Sequence, residues 1–257
     1  MREIGAELVR TALLAGEAAG SLLRTRQAGV RQAATKSSPT DPVTEADRAA
    51  ERTVVDLLRL RRPEDAVLAE EGTLLPGTSG YRWVIDPLDG TVNYLYQRAG
   101  WAVSVAVEDA DGAVAGVVVD PVLGETFHAV RGGGAYLGDR RLRVNEPVPL
   151  DRALVSTGFS YHPRSRERQG RLVTGLLPAV RDIRRTGTCA GDLCALAAGR
   201  VDAFLEDELS HWDWAAGALI ATEAGAVISD LRPAQERHGL LAAGPALHAE
   251  LGKLAES

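Results

Sequence analysis

Trp83-Val-Ile-Asp-Pro-Leu-Asp-Gly-Thr91 joins an apolar run to two carboxylates three residues apart and then to a glycine. The run reads as a buried strand, Pro87 forces a turn after Asp86, and Gly90-Thr91 stands where a helix starts. Two ionised carboxylates this close repel one another unless a cation lies between them. A hard divalent ion such as Mg²⁺ takes oxygen ligands at about 2.0–2.1 Å, typically one or two carboxylates plus a substrate phosphate. Pro87 lets the Leu88 carbonyl point at the same ion, and the N–H groups of Gly90 and Thr91 can receive a phosphate oxygen. The same residue types also make a plain turn. Asp120-Pro-Val-Leu-Gly124, which ends a strand but lacks a second Asp, reads as one.

Outward from this stretch, from Tyr81 to Gly134, the apolar period is two. Arg82–Asp86, Val103–Val107, Val114–Val119 and Thr126–Val130 read as strands, with a hairpin turn at Asp109-Ala-Asp-Gly112. Gly132-Gly133-Gly134 is a turn or bulge, since no helix follows it and no Lys-Ser/Thr closes it. Upstream, residues 2 to 26 form an amphipathic helix and Ala34–Pro42 a polar loop. Thr44 then opens a helix with Ala50, Val54 and Leu58 on one face. Downstream the pattern alternates: strand Ala153–Ser156, helix Arg164–Val180, strand Ile183–Arg185, helix Cys189–Gly199, strand Asp202–Leu205 and helix Trp214–Ala224. A strand at Gly239–Ala243 and a helix with Pro245 in its first turn follow. Residues 1–150 are thus an α+β half with an antiparallel sheet and residues 151–257 an α/β half, expected to pack as one unit.

Further acidic positions bear on the same chemistry. Glu70-Glu71-Gly72 follows Ala66–Ala69, again carboxylates at a strand end. Asp213, in His211-Trp-Asp-Trp-Ala-Ala-Gly217, sits at a helix start, where Asp is a good N-cap. Its position between two Trp residues is apolar company for a charge, which asks for a partner. Thr44-Glu-Ala-Asp47 has the form of a capping box.

The 257 residues carry 29 Lys and Arg against 35 Asp and Glu, a formal net charge of −6. That balance opposes nucleic-acid binding and association with an anionic membrane surface. A phosphate handled by this chain needs local cations. Glu3, Glu7 and Glu17 interrupt the N-terminal apolar residues, so no secretory signal is expected there. Glu223 breaks the apolar stretch Ala215–Val227 short of a membrane span. Cys189 and Cys194 make neither a zinc site nor a disulfide framework, which fits a reducing cytoplasm.

Asp41-Pro-Val-Thr44 with Asp47, Glu70-Glu71, Trp83–Thr91 and Trp212-Asp213 followed by Ala215-Ala216-Gly217 together resemble the inositol monophosphatase family, in order and in spacing, over about Lys36 to Ala226. The resemblance implies a layered α-β-α-β-α sandwich of the inositol monophosphatase/fructose-1,6-bisphosphatase type and a Mg²⁺-dependent, lithium-sensitive phosphomonoesterase that is a homodimer. It implies a first metal on Glu70, Asp86 and the Leu88 carbonyl, and a second on Asp86, Asp89 and Asp213. Thr91, working with Asp47, would orient the attacking water, with Glu70 beside it. Two ions about 3.5–4 Å apart would stabilise the attacking and leaving oxygens. Their charge of about +4 against about −5 from the carboxylates would admit a dianionic phosphate.

Gly187, Thr188, Cys189 and Ala190 match the family's segment lining the polyol pocket, and Glu206 the acidic position that accepts substrate hydroxyls. Together with Asp89, Gly90, Thr91 and Asp213 they form the implied substrate set. A solvated Glu206 beside Asp207 and Glu208 is the plainer alternative. Lys36 and Ser37-Ser38-Pro39 resemble a closing loop that helps hold a third ion. Gly191 and Tyr94-Leu-Tyr96 depart from the family pattern and are expected near the leaving-group side. The resemblance makes inositol 1-phosphate the foremost expected substrate. Histidinol phosphate, fructose 1,6-bisphosphate and a nucleotide 3′-phosphate are rivals, and a regulatory protein-binding role, as for some bacterial relatives, is a reading of a different class.

Overall fold

Val103, Val105 and Val107 alternate with Ala102, Ser104 and Ala106, and all six are buried. A strand with large residues on one face, small ones on the other and water on neither must be covered on both sides. In the computed structural model, which describes residues 2–29, 34–35, 42–231 and 238–255, it is.

The helices are α1 (Arg2–Arg26), α2 (Glu45–Arg61), α3 (Thr91–Leu95), α4 (Pro163–Leu176), α5 (Cys189–Ala197), α6 (His211–Glu223) and α7 (Pro245–Ala255). A short antiparallel pair joins β1 (Ala34–Thr35) to β2 (Pro42–Val43). The strands β3 (Ala66–Ala69), β4 (Leu74–Leu75), β5 (Arg82–Asp89), β6 (Ala102–Asp109), β7 (Gly112–Asp120), β8 (Glu125–Val130), β9 (Gly134–Leu137) and β10 (Arg140–Arg141) form one sheet in the order β10-β9-β8-β7-β6-β5-β3-β4. It is antiparallel except where β3 runs parallel to β5. A second sheet takes β11 (Leu154–Thr157), β12 (Asp182–Arg184), β13 (Ala203–Leu209), β14 (Val227–Asp230) and β15 (His238–Ala243) in the order β12-β11-β13-β15-β14.

The valine face of the large sheet packs on α1 and α2 through Leu8, Val54, Leu58 and Trp83. Its small-residue face packs on α5 and α6 through Ala102, Ala106, Ala190, Ala216 and Ile220. The other side of that helical layer meets the second sheet at Leu193, Leu196, Phe204 and Leu240. Leu176 of α4 and Leu247 and Leu251 of α7 close the outer face. The order is α-β-α-β-α.

Small residues set the spacing. A Cβ on Gly116 of β7 would lie 3.0 Å from the Ala216 backbone, and one on Gly217 2.9 Å from Leu193 of α5. The Ala215-Ala216-Gly217 run therefore lets α6 press against both neighbours.

Several boundaries differ from the sequence reading. The strand expected to stop at Asp86 continues to Asp89: Asp86 pairs with Ser104 and Asp89 with Ala102, so Pro87 and Leu88 bulge opposite Val103. A bulge is how an interior strand tolerates proline. The helix expected to begin at Trp214 begins at His211, because Ser210 is its cap. The helix expected to reach Val180 stops at Leu176, where Ala179 and Val180 turn back onto the Leu176 carbonyl. The ends of the expected Ala34–Pro42 loop pair as strands, while Lys36–Asp41 lie outside the described residues. Strand β14 carried no clear period-two signal and is a further difference. The second sheet is mixed: β11 is parallel to β12 and β13, whereas β15 is antiparallel to both its neighbours.

Candidate active site

Both sheets carry a bulge at the strand end that faces the same cavity. In β5 it re-aims Asp86 and Asp89. In β13, Glu206 pairs with Leu240 and Leu209 with His238, leaving Asp207 and Glu208 opposite the single residue Gly239. Bulges bend a strand and redirect its side chains, which is why they recur beside functional sites. The cavity between them has a volume of about 320 Å³.

One end of this cavity is carboxylate. Glu70 directly follows β3, its N–H bonding the Ile85 carbonyl at 3.1 Å, and so stands beside Asp86. Glu71, next along, points its N–H at Glu51 of α2 (2.7 Å) and does not line the cavity. Burial, then the charges of Glu70, Asp89 and Asp213, raise Asp86 well above the usual carboxylate range. Burial pushes Asp89 up to about 6, against the pull of hydrogen bonds from the Thr188 hydroxyl (2.6 Å) and the Ala190 N–H (2.7 Å). Asp213 is not the cap of α6 but its third residue, accepting from the Ser210 N–H at 2.7 Å while facing the cavity. The capping geometry that favours Asp at this place also aims it.

Beside this end lies a buried relay. Asp47 closes a capping box on α2, accepting from the Thr44 N–H at 2.9 Å and from the Thr44 hydroxyl. Its other oxygen lies 3.1 Å from the Thr91 hydroxyl, which is also 3.1 Å from the Leu88 carbonyl. Capping and contact with Thr91 therefore coexist in one fully buried side chain.

Two glycines make the close approach of the walls possible. Gly90 (φ 92°) and Gly187 (φ 100°) are both left-handed, and a Cβ on Gly90 would lie 2.6 Å from the Gly100 carbonyl and 3.1 Å from that of Gly187. Asn93 ties the same segments together, donating to the carbonyls of Gly100 (2.6 Å) and Thr186 (2.8 Å). Thr188 caps α5 by accepting from the Gly191 N–H at 3.1 Å, and Cys189 follows on the cavity wall. A Cβ on Gly191 would come 2.8 Å from Thr188, so this cap requires the small residue. Both Cys189 and Cys194 are buried free thiols, and burial raises each well above the ordinary range.

Glu206 is not a solvated charge: it lines the cavity, raised well above its usual range by burial and then by Asp213 and Asp89. Its carboxylate occupies the space above Gly158, where a Cβ would lie 2.1 Å from Oε1. Tyr94 and Tyr96 depart from expectation. Tyr94 is buried core, its hydroxyl on the Leu23 carbonyl (2.7 Å) and its ring edge-on to Trp101; Tyr96 is exposed, and neither lines the cavity. Asp120 makes the plain turn foreseen, accepting from Val122 and Leu123 at 2.9 Å each.

The wall formed by Gly158–His162, with Arg185 and Trp212, escaped the sequence reading. A signal existed: β11 and β13 are parallel neighbours, and loops at the carboxyl ends of parallel strands are the usual site-builders of such sheets.

Four side-chain carboxylates, those of Glu70, Asp86, Asp89 and Asp213, line this end together with Leu88, an oxygen-rich set of the kind that suits a hard divalent cation. Among the described residues, no three His, Cys, Asp or Glu side chains stand close enough together to hold a metal ion as they are placed. Glu70, Asp86, Asp89 and Asp213 all line the cavity, and the charges of the other three raise Asp86.

The fold is that of a known class. The family model described as "Inositol monophosphatase family" matches residues 4–257. Among curated relatives, "Inositol-1-monophosphatase SuhB" of Mycobacterium tuberculosis (strain ATCC 25618 / H37Rv) is 44% identical over 228 residues, covering 84% of this chain and 78% of that protein. "Nus factor SuhB" of Pseudomonas aeruginosa is 44% identical over 202 residues, covering 76% and 74%. The solved structure of extragenic suppressor protein suhB from Bartonella henselae superposes with a TM-score of 0.92 at 34% identity, covering 98% of this chain and 99% of that one. The chain belongs to the inositol monophosphatase family, whose members are generally metal-dependent. It is a phosphoric monoester hydrolase.

Proposed function

We propose that the protein hydrolyses a small polyol phosphate monoester, inositol 1-phosphate foremost, using Mg²⁺. The observation that carries this is the convergence of Glu70, Asp86, Asp89 and Asp213, from three separate segments, on one cavity beside the Thr91–Asp47 pair. Glu70, Asp86 and the Leu88 carbonyl would hold a first ion, and Asp86, Asp89 and Asp213 a second. Bound there, the ions would lower the pKa of a water and offset the charge of the phosphoryl oxygens.

The chain's own residues do the rest. Asp47 fixes the Thr91 hydroxyl, which has the Leu88 carbonyl as a second acceptor. That would orient Thr91 to position the attacking water, with Glu70 beside it. Gly90 and Thr91 line the phosphate end, and Gly187, Thr188, Cys189 and Glu206 the alcohol end.

Phosphate release measured with Mg²⁺ on inositol 1-phosphate, histidinol phosphate, fructose 1,6-bisphosphate and a nucleotide 3′-phosphate tests the choice; an equal or higher kcat/KM on a rival displaces inositol phosphate. Li⁺ at tens of millimolar, a scale set by weak Mg²⁺ sites, is expected to slow turnover by competing at the second site. We take the active form to be a cytoplasmic homodimer, which light scattering checks for assembly. Among the described residues no helix is long and apolar enough to cross a membrane.

The relatives named Nus factor SuhB favour a second reading, a protein-binding role on the same fold. Asp89→Asn separates the two: it removes a ligand and should cut phosphatase turnover by about a thousandfold or more while the fold persists. Cellular function that survives the change belongs to the binding role.

A further inference from the structure

Helix α4 reaches two walls of the cavity at once. Arg168 Nε donates to Asp207 Oδ2 at 3.0 Å, and Nη2 to Glu208 Oε1 at 2.6 Å. Gln169, 3% exposed, spans the gap: its Nε2 donates to the Asp207 carbonyl (3.1 Å) and its Oε1 accepts from the Ser160 N–H (2.9 Å). Arg166 adds a bond to the Ser160 carbonyl at 3.2 Å. Residues 158–162 and 206–210 both line the cavity, whereas Arg168 and Gln169 do not.

The gripped segment is strained. Asp207-Glu208 is the bulge of β13, and Glu208 has φ 72°, the left-handed region that disfavours any residue with a Cβ. Such a conformation persists where the surroundings over-determine it, and it clusters at functional sites. An exposed ion pair would contribute little, but Asp207 is 3% exposed and Arg168 holds two carboxylates and not one. The bulge also fixes the aim of its neighbours, Glu206 on one side and Ser210, which caps the helix of Asp213, on the other.

We infer that Arg168 and Gln169 are positioning residues that clamp the 158–162 wall to the 206–208 bulge and so set the width of the cavity around the alcohol part of the substrate. This rests on reading the cavity as the phosphomonoesterase site. The consequence is selectivity by size: a ring-sized polyol needs both walls in register, and a short acyclic one does not.

The test uses the full chain with Mg²⁺, comparing inositol 1-phosphate with glycerol 2-phosphate. Arg168→Ala should raise KM for the inositol ester about five- to tenfold, the scale of a modest misplacement of a binding wall, and leave KM for the glycerol ester within about twofold. Glu208→Gly relieves the backbone while removing the grip, so it should hold or raise Tm and still raise KM for the inositol ester. A KM unchanged in both variants, or a parallel loss on both esters, overturns the inference. Should the unaltered protein hydrolyse neither ester, the phosphatase reading fails by itself, and amide hydrogen exchange decides the clamp. Arg168→Ala must then speed exchange in both 158–162 and 206–210; acceleration in one alone, or in neither, overturns it.

Discussion

Asp192 shows how a single buried carboxyl takes its behaviour from packing. It sits in the first turn of α5, where a negative charge is favoured by the helix dipole, yet it is 2% exposed and is pushed up to about 7 by burial, against the hydrogen bond from Thr186 Oγ1 at 2.7 Å. Its unfolded value is about 3.9. A folded value raised above the unfolded one contributes stability that is complete below about pH 4 and lost as pH rises through about 7. Asp192→Asn, which imitates the protonated form, should therefore raise Tm by a few degrees at pH 8 and by much less at pH 5. An equal change at both pH values would mean that the carboxyl is ionised throughout. Asp47 and Asp213 carry a related lesson. Both match capping patterns written in the sequence, and in both the same carboxylate serves helix and site, because a helix start is also where a side chain can face a neighbouring element.

For the elements, helix α6 is the one on which both layers depend. Its Ala215-Ala216-Gly217 run lies against Gly116 of β7 and Leu193 of α5. Gly116→Val forces side-chain atoms into the Ala216 backbone, an overpacking that costs about 1–3 kcal/mol. Thermal unfolding should show a Tm lower by roughly 3–10 °C at this chain length. Because Trp212 and Asp213 ride on the same helix, turnover should fall by more than the unfolded fraction explains. The strands were legible where both periodicity and length were strong, as in β6 and β7. The short, polar β14 was not, since its pairing with β15 comes from the sheet and not from its own sequence. Proline misled in β5: Pro87 reads locally as a stop, and only the pairing on either side shows that the strand bulges past it.

Taken whole, the molecule gathers anionic groups that would separate if they were free to do so. A bound divalent cation relieves that repulsion in the folded state only, so Mg²⁺ at about a hundredfold excess over its Kd should stabilise by roughly 2.7 kcal/mol, and excess chelator should reverse the gain. Scanning calorimetry with and without the ion reads this directly. A Tm indifferent to Mg²⁺ up to tens of millimolar would remove the metal from the proposed mechanism. The net charge of −6 makes the same point at long range: attraction of a phosphate has to be local.

Sequence alone determined the carboxylate motif, the period-two strands of the large sheet and the capping box of α2, because each is encoded within a few consecutive residues by turn chemistry, period or hydrogen-bonding reach. Only the tertiary structure decided that Glu206 faces inward over Gly158, that Tyr94 is core, that Gly158–His162 forms a wall and that Arg168 grips a left-handed Glu208. Those outcomes depend on contacts between residues tens of positions apart, and on bulges whose strain is supported by the partner strand and not by local preference.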